Sequence, residues 1–461
     1  MKSDTPRRPL ERALRLVTIV RRGEAPGALL LTLDLAVLLF AYALLKMVRE
    51  VLVLGAPGGR AEVKAYASAA QAILLVPLSL GFGALAARLD RLRLVRTVTL
   101  FFVVQLVAFA AIVALFPSLG VGIAFFIWIG CFNVLIIAQF WSVANDLHDR
   151  ESGERLFPLI AVGSALGALA GSRASGLLYP HLGASGIMLL AAVLLVGTIA
   201  LTARVEAHTP RSRPRGPVAR TGGATALVRD PYLALVTIMT LLKNWVNSTG
   251  EYVLDRLLLD AARRAAGATA DRAVVQQFIA HWKSNYLTWT NALVVVMQLF
   301  AVSRILRRLG VGPALLVLPI VAGVGFGAMV LAPSLGLILA VKVAENGIDY
   351  SLEKTAEQAL YLVTSRSAKY RAKAIIDALV VRLGDVLAAG VVWIGSAIGL
   401  GTTAFVVENL LLVAGWITTV VLLCRSKPLR SAGAHGAPTA SPPLSRTDAG
   451  RRATRGPPGP R

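Results

Sequence analysis

An all-α polytopic membrane protein, with about twelve transmembrane helices in two six-helix bundles, is the fold class this sequence predicts. Of its 461 residues 56% are hydrophobic and 16% charged, and its mean hydropathy is +0.67, far too apolar for a water-soluble domain. Apolar runs of about 18 residues or more, the length that crosses hydrocarbon, recur along most of the chain. They fall in two sets of six, on either side of a Pro-, Gly- and Arg-rich stretch at 206–226.

The first six runs cover 29–48, 66–87, 97–117, 119–143, 157–179 and 185–203; the second six cover 231–254, 286–303, 311–332, 334–361, 375–397 and 402–424. Helices are expected because lipid offers no partner to an unpaired backbone group, and the alternating pattern of an outer-membrane barrel is absent. The expected organisation is a basic cytosolic arm (1–28), a six-helix bundle (29–204), a cytosolic linker (205–229), a second bundle (230–424) and a low-complexity tail (425–461). The two sets match in layout. Each has a basic loop after its second span, "ARLDRLRLVR" and "SRILRRLG", and a longer charged loop after its fourth, "ANDLHDRESGERLF" and "TSRSAKYRAKA".

The net charge of +23 follows the same division. Arg and Lys cluster in the arm, after spans two, six, eight and ten, and in the tail, whereas the alternate loops "FPSLGVG", "YPHLGASG", "APSLG" and "GLGTT" are short and nearly neutral. By the positive-inside rule both termini are expected in the cytosol. Charged outer loops are expected only after spans one and seven. Topology accounts for most of the basicity, so nucleic acid is not an expected partner. The expected setting is a cytoplasmic membrane, with lipids as partners and a monomer as the default state.

An ionisable group at the bilayer centre costs roughly 2.5–3.5 kcal/mol on insertion scales, so such groups face a cavity or a partner. Spans three, six and nine carry no Asp, Glu, Lys or Arg, and span twelve carries only Glu408; spans one, seven and ten hold most of the rest. Spans three, six, nine and twelve are therefore expected at the periphery. In span one, Asp34, Tyr42, Lys46 and Glu50 fall at multiples of four, with Arg49 beside them, and form one stripe. Lys46, Arg49 and Glu50 lie near its outer end, where snorkelling is the alternative to a cavity role. In span seven, Lys243, Asn247 and Glu251 share a face that is expected to look into the cavity between the bundles, with Lys243 as its anchor. Span ten places Lys342, Glu345 or Asn346, Asp349, Glu353 and Glu357 along one stripe, either a pathway face or a salt-bridge ladder holding the halves shut. Span eleven offers Asp377, Arg382 and Asp385, as an internal ion pair or as solute contacts. Arg173 in span five is expected to pair with an acid of another helix.

Other chemistry is missing. There is no G-x-x-x-x-G-K-[ST], so the chain carries no P-loop, and no H-E-x-x-H, G-x-S-x-G or Cys/His constellation points to an enzyme. No cofactor is expected, nor a metal or redox role for Cys131 and Cys424. In "GSALGALAG", Gly163, Gly167 and Gly171 share one face and read as a close helix-packing surface.

Six plus six spans around a cytosolic linker resembles the layout of major-facilitator transporters, whose halves are repeats around a midplane site. "GFGALAARLDRLRLVR" is similar to their G-x-L-x-D-R-x-G-R-R loop, with Leu92 after the Asp–Arg pair. Three strings, "FWSVANDLHDRESGERLFPLIAVGSALGALAGS" (140–172), "NSTGEY" (247–252) and "DYSLEKTAEQALYLVTSRSAKYRAKAIIDALVVRLGD" (349–385), resemble the nucleotide-transporter family typified by bacterial and plastid ATP/ADP translocases, over most of 29–424. That resemblance implies transport of a polyanion, with Lys46, Arg49, Lys243 and Arg382 as candidates for phosphate and acidic residues shaping selectivity or coupling. The expected activity is a secondary carrier or antiporter for a small anionic solute, a nucleotide among the candidates. A carrier or flippase for a lipid precursor, peptide or sugar phosphate, and a non-transporting sensor or assembly subunit, are the alternatives. The expected substrate-binding set is Tyr42, Lys46, Arg49, Lys243, Asn247, Glu251, Lys342, Glu345, Asp349, Arg382 and Asp385.

Overall fold

A computed structural model describes residues 24–86, 91–148, 150–208, 230–267, 271–361 and 376–426. Most of the arm, the linker and the tail lie outside the described residues, as do much of the basic loops after spans two and ten; the side chain of Asp377 is also outside them. Every regular element among the described residues is a helix. The segments are α1 (Ala25–Leu54), α2 (Ala61–Ala86), α3 (Arg91–Leu115), α4 (Leu119–Leu147), α5 (150–182), α6 (184–208), α7 (Pro231–Ala266), α8 (Arg272–Leu309), α9 (Val311–Leu331), α10 (335–360), α11 (376–397) and α12 (Thr402–Arg425). Helix α5 runs into α6 through Gly183, whose φ of 61° and ψ of −172° break the rod; a side chain there would be strained.

Local sequence sets several starts. Ser118 caps α4 by accepting from Val121 N–H at 3.4 Å, and Ser334 caps α10 by accepting from Leu337 N–H at 3.3 Å. Asp230 caps α7 just before Pro231, and Asp271 caps α8, each supplying an acceptor to an orphan N–H of the first turn. Three rods contain a π-turn, at Met297–Ala301 in α8, Asp349–Glu353 in α10 and Ile376–Val380 in α11.

Seven helices among the described residues are long and apolar enough to cross a membrane on composition alone, and one of them, Arg155–Ala207, is the α5–α6 pair. Several helices reach further than the apolar runs that predict them. Helix α1 ends at Leu54, α2 begins at Ala61, α7 continues to Ala266, and α8 begins at Arg272. The residues expected as charged outer loops after spans one and seven are thus largely extra helical turns. Hydropathy marks where charge begins, not where the helix stops.

The glycine stripe of α5 lies directly on α1. A Cβ at Gly163, Gly167 or Gly171 would collide with the carbonyl oxygens of Thr32, Ala36 and Phe40, respectively. Residues four apart on α5 therefore meet residues four apart on α1, backbone to backbone, as small-xxx-small packing requires. Helices α2 and α11 pack together, as do α5 and α8 and, less extensively, α1 and α8 and α2 and α7; these contacts join the first six helices to the last six. Helices α3, α6, α9 and α12 contribute nothing to the central cavity described below. They leave Phe101, Val193, Val324 and Leu411 exposed on the outside of the molecule, the arrangement expected of lipid-facing helices.

Candidate functional site

A central cavity of about 180 Å³ is lined by side chains of α1, α2, α4, α7, α8, α10 and α11. Four cations, Lys46, Arg49, Lys64 and Lys283, and four carboxylates, Glu50, Glu251, Asp255 and Asp385, reach it. Their formal charges cancel, but their pairing is uneven.

Most of the charge belongs to one buried network. Lys64 of α2 lies 2.6 Å from Glu50 of α1 and donates to Asp255 of α7 at 2.6 Å. Lys283 of α8 lies 2.5 Å from Asp255, 3.6 Å from Glu50 and 3.7 Å from Glu251. Lys283 is 2% exposed and Asp255 1%. Such charges are tolerated inside a membrane protein only because each meets opposite charge. Glu251 also accepts from the Tyr286 hydroxyl, in a very short contact, and from Asn346 at 3.3 Å. Around the network the two sets of six helices meet repeatedly. Tyr252 donates to Glu62 at 2.9 Å, Arg263 to the Gly59 carbonyl at 2.9 Å, and Gln276 to the Gly55 carbonyl at 3.3 Å. Deeper along α5 and α8, Ser284 donates to the Ser172 carbonyl at 2.7 Å, and Asn291 to the Ser172 hydroxyl at 2.9 Å.

Glu50, read from the sequence as an outer-end residue with snorkelling as the alternative, is instead 4% exposed at the centre of this network. Lys64, Asp255 and Lys283 were missed because each lies outside the predicted spans. One signal was present: Asp255 extends the Lys243, Asn247, Glu251 series by one more step of four.

The remaining cavity cations differ in kind. Arg49 gives its Nε to Glu50 at 3.0 Å and stacks over Phe126, 4.5 Å from the ring centre. Its two terminal nitrogens have no hydrogen-bond partner among the described residues. Lys46, half-buried on the cavity wall, has neither a hydrogen bond nor an ion pair among the described residues. Asp385 accepts from Ser248 at 2.7 Å and sits 3.6 Å from Arg382.

Of the other expected site residues, Asn247 and Glu251 line the central cavity. Lys243 does not. It donates to Asp349 at 3.0 Å and Glu357 at 2.6 Å, both on α10, beside a smaller cavity that Glu345 and Asp349 also line. Lys342 is fully buried and donates to Glu345 at 2.8 Å and to the Asn247 side chain at 2.8 Å. The charged stripe of α10 is therefore a ladder to α7. Because both helices belong to the last six, it does not clasp the two sets together. Tyr42 and Arg382 lie outside both cavity walls. Arg173 is exposed, with no ion-pair partner among the described residues.

No family model and no curated protein matches this sequence. Solved structures do match its shape. A bacterial homologue of the iron transporter ferroportin, in an inward-facing state, superposes with a TM-score of 0.63 at 14% identity, over 87% of this chain and 99% of that one. The nucleoside transporter NupG superposes at 0.57 with 13% identity, over 86% and 98%. The POT family transporter PepTSo superposes at 0.60 with 12% identity, over 89% and 98%. At such identities the likeness establishes architecture, and the chain accordingly has an all-α, major-facilitator-like fold.

Proposed function

We propose that this protein is a secondary transporter that moves a small anionic solute across a bacterial cytoplasmic membrane by alternating access, with both termini in the cytosol. On this reading 29–204 and 230–424 are the two moving bundles and 205–229 is the cytosolic linker between them. The observation that carries it is the Lys46 ammonium, which lines a cavity formed from both sets of six helices and makes no direct ion pair or hydrogen bond among the described residues, Glu251 and Glu50 acting on it only from a distance. A half-buried cation without a direct partner is open to an incoming anion, and a phosphate or carboxylate supplies the contact through strong charge-assisted bonds. The free nitrogens of Arg49, one helical turn away, add a planar donor pair suited to the same group. Asn247 offers a polar side chain on the same wall, while Glu251 and Asp385 set a limit on how much negative charge the cavity accepts.

The lysine–carboxylate network is the gate. When the bundles part at this end, the contacts of Lys64 with Asp255 and Glu251 and of Lys283 with Glu50 must break. Lys64–Glu50 stays within the first bundle and Lys283–Asp255 within the second. No charge is then stranded, so the gate opens without exposing a bare ion to a low-dielectric interior.

The likeness to ATP/ADP translocases and the fold shared with NupG make a nucleotide the first solute to test. The test is ligand-induced thermal stabilisation of the purified protein by ATP, ADP, inorganic phosphate and a sugar phosphate. Wild type is expected to be stabilised by at least one of them, and Lys46→Ala to lose that response while keeping its unliganded Tm. Equal stabilisation of Lys46→Ala and wild type would refute the anchor.

A further inference from the structure

Asp34 has no use in the proposed transport site. It lies in α1, 2% exposed, and faces away from the central cavity into a pocket among α1, α3, α4 and α6. The pocket is small, about 10 Å³, on the scale of a single bound ion or water. Apart from Asp34, no charged side chain lines it among the described residues; its polar walls are Thr99, Gln139, Thr198 and Thr202. Thr202 donates to Asp34 Oδ2 at 2.9 Å, Gln139 donates its amide N–H to Thr99 at 3.1 Å, and Thr198 donates to the Leu195 carbonyl at 2.7 Å. These bonds use up donors. Asp34 Oδ1 and Gln139 Oε1 are left as buried acceptors with no partner, on the same pocket. Gln139 is itself only 4% exposed.

Two orphan acceptors on one buried pocket, one of them a carboxylate oxygen, call for a positive charge. Every available ligand atom is an oxygen: one carboxylate, one amide carbonyl and three hydroxyls, of which Thr198 and Thr202 donate their protons and Thr99 accepts from Gln139. Oxygen donors select hard cations. One carboxylate among neutral donors balances a single charge, whereas a divalent ion would leave a positive charge uncompensated inside the hydrocarbon layer. We infer that Asp34, Gln139, Thr99, Thr198 and Thr202 form a monovalent-cation site that takes Na⁺. The site lies within the first six helices, and it would be loaded whether or not the central cavity binds an anion.

The test is the thermal stability of the purified full-length protein in detergent, with NaCl exchanged for KCl or N-methylglucamine chloride at constant ionic strength. A ligand that binds only the folded state raises Tm with concentration. Na⁺ is expected to raise Tm saturably, by about 2 °C or more, and K⁺ and N-methylglucamine to leave it unchanged. Asp34→Asn, which keeps the shape and removes the charge, is expected to fold and to lose the Na⁺ response; Thr202→Val should require a higher Na⁺ concentration for the same rise. Absence of any Na⁺-specific rise in wild type would overturn the site, as would a full response in Asp34→Asn. A wild-type Tm that follows pH in Na⁺-free buffer and ignores Na⁺ would also overturn it, by assigning Asp34 a proton.

Discussion

Two lysines on the proposed pathway helices look alike in the sequence and do different jobs. Lys46 makes no direct ion pair among the described residues, whereas Lys243 is held between Asp349 and Glu357. Removing Lys46 relieves an unpaired charge, so Lys46→Ala should fold normally and lose anion binding. Removing Lys243 strands two carboxylates in the bundle interior, a change that costs roughly 3–5 kcal/mol when a buried pair is broken. Lys243→Ala should therefore lower Tm well beyond Lys46→Ala in the same detergent, and Lys243→Ala/Asp349→Asn/Glu357→Gln should recover part of the loss. A Lys243→Ala protein as stable as wild type would remove the ladder from the packing. At this scale the sequence was half legible. Of the α1 stripe read from its spacing of four, Lys46 and Glu50 reach the cavity, whereas Asp34 and Tyr42 do not. Whether a lysine has a partner depends on which helix faces it, and that is a tertiary fact.

At the scale of the helix, the close-packing face of α5 was the most legible feature, because glycines at 163, 167 and 171 can share a face for few other reasons; that α1 is its partner was not legible. Gly167→Val would drive a side chain into the Ala36 carbonyl, and overpacking of a close interface typically costs about 1–3 kcal/mol. Gly327→Ala is the control, since a Cβ there meets nothing within 4 Å. Thermal unfolding should show a clear drop for Gly167→Val and almost none for Gly327→Ala; equal effects would mean that α1 and α5 are not in backbone contact. The helix ends were the least legible elements. Lys64, Asp255 and Lys283 are charged enough to end an apolar run, yet they sit in continuous helix because each charge is cancelled across α1, α2, α7 and α8. Single-chain hydropathy sees the charge and not its cancellation. Helix α9 escaped this error because it contains no charge to misread, whereas α3 and α6 run on through Arg91, Arg93 and Arg96 and through Arg204 and Glu206.

For the whole molecule, the gate makes a geometric prediction. A Cβ built on Gly55 would come within 2.7 Å of the Gln276 side chain, 3.6 Å of its Cα and 2.7 Å of the Val51 carbonyl oxygen, so Gly55→Cys/Gln276→Cys, with Cys131 and Cys424 replaced by Ser, brings the two thiols together once the end of α1 shifts off that carbonyl. The crosslink should form on mild oxidation, arrest the carrier with this end closed, and release it on reduction. Failure to crosslink would mean that α1 and α8 do not meet there in the membrane. That six helices lie on either side of the stretch at 206–226 was legible from the apolar runs. How the sets touch was not, since Gly55, Gly59, Gln276 and Arg263 meet through backbone carbonyls that carry no sequence signature.

The most direct measurement is uptake of radiolabelled ATP, ADP, phosphate and glucose 6-phosphate into proteoliposomes preloaded with the same unlabelled solute, comparing wild type with folded Lys46→Ala. Wild type is predicted to exchange at least one of these anions, and Lys46→Ala to lose at least about tenfold of that rate, the equivalent of roughly 1.4 kcal/mol of anion stabilisation. Exchange by Lys46→Ala at the wild-type rate would contradict an anion pathway anchored on Lys46, as would a wild type that moves none of these anions but carries an uncharged or cationic solute.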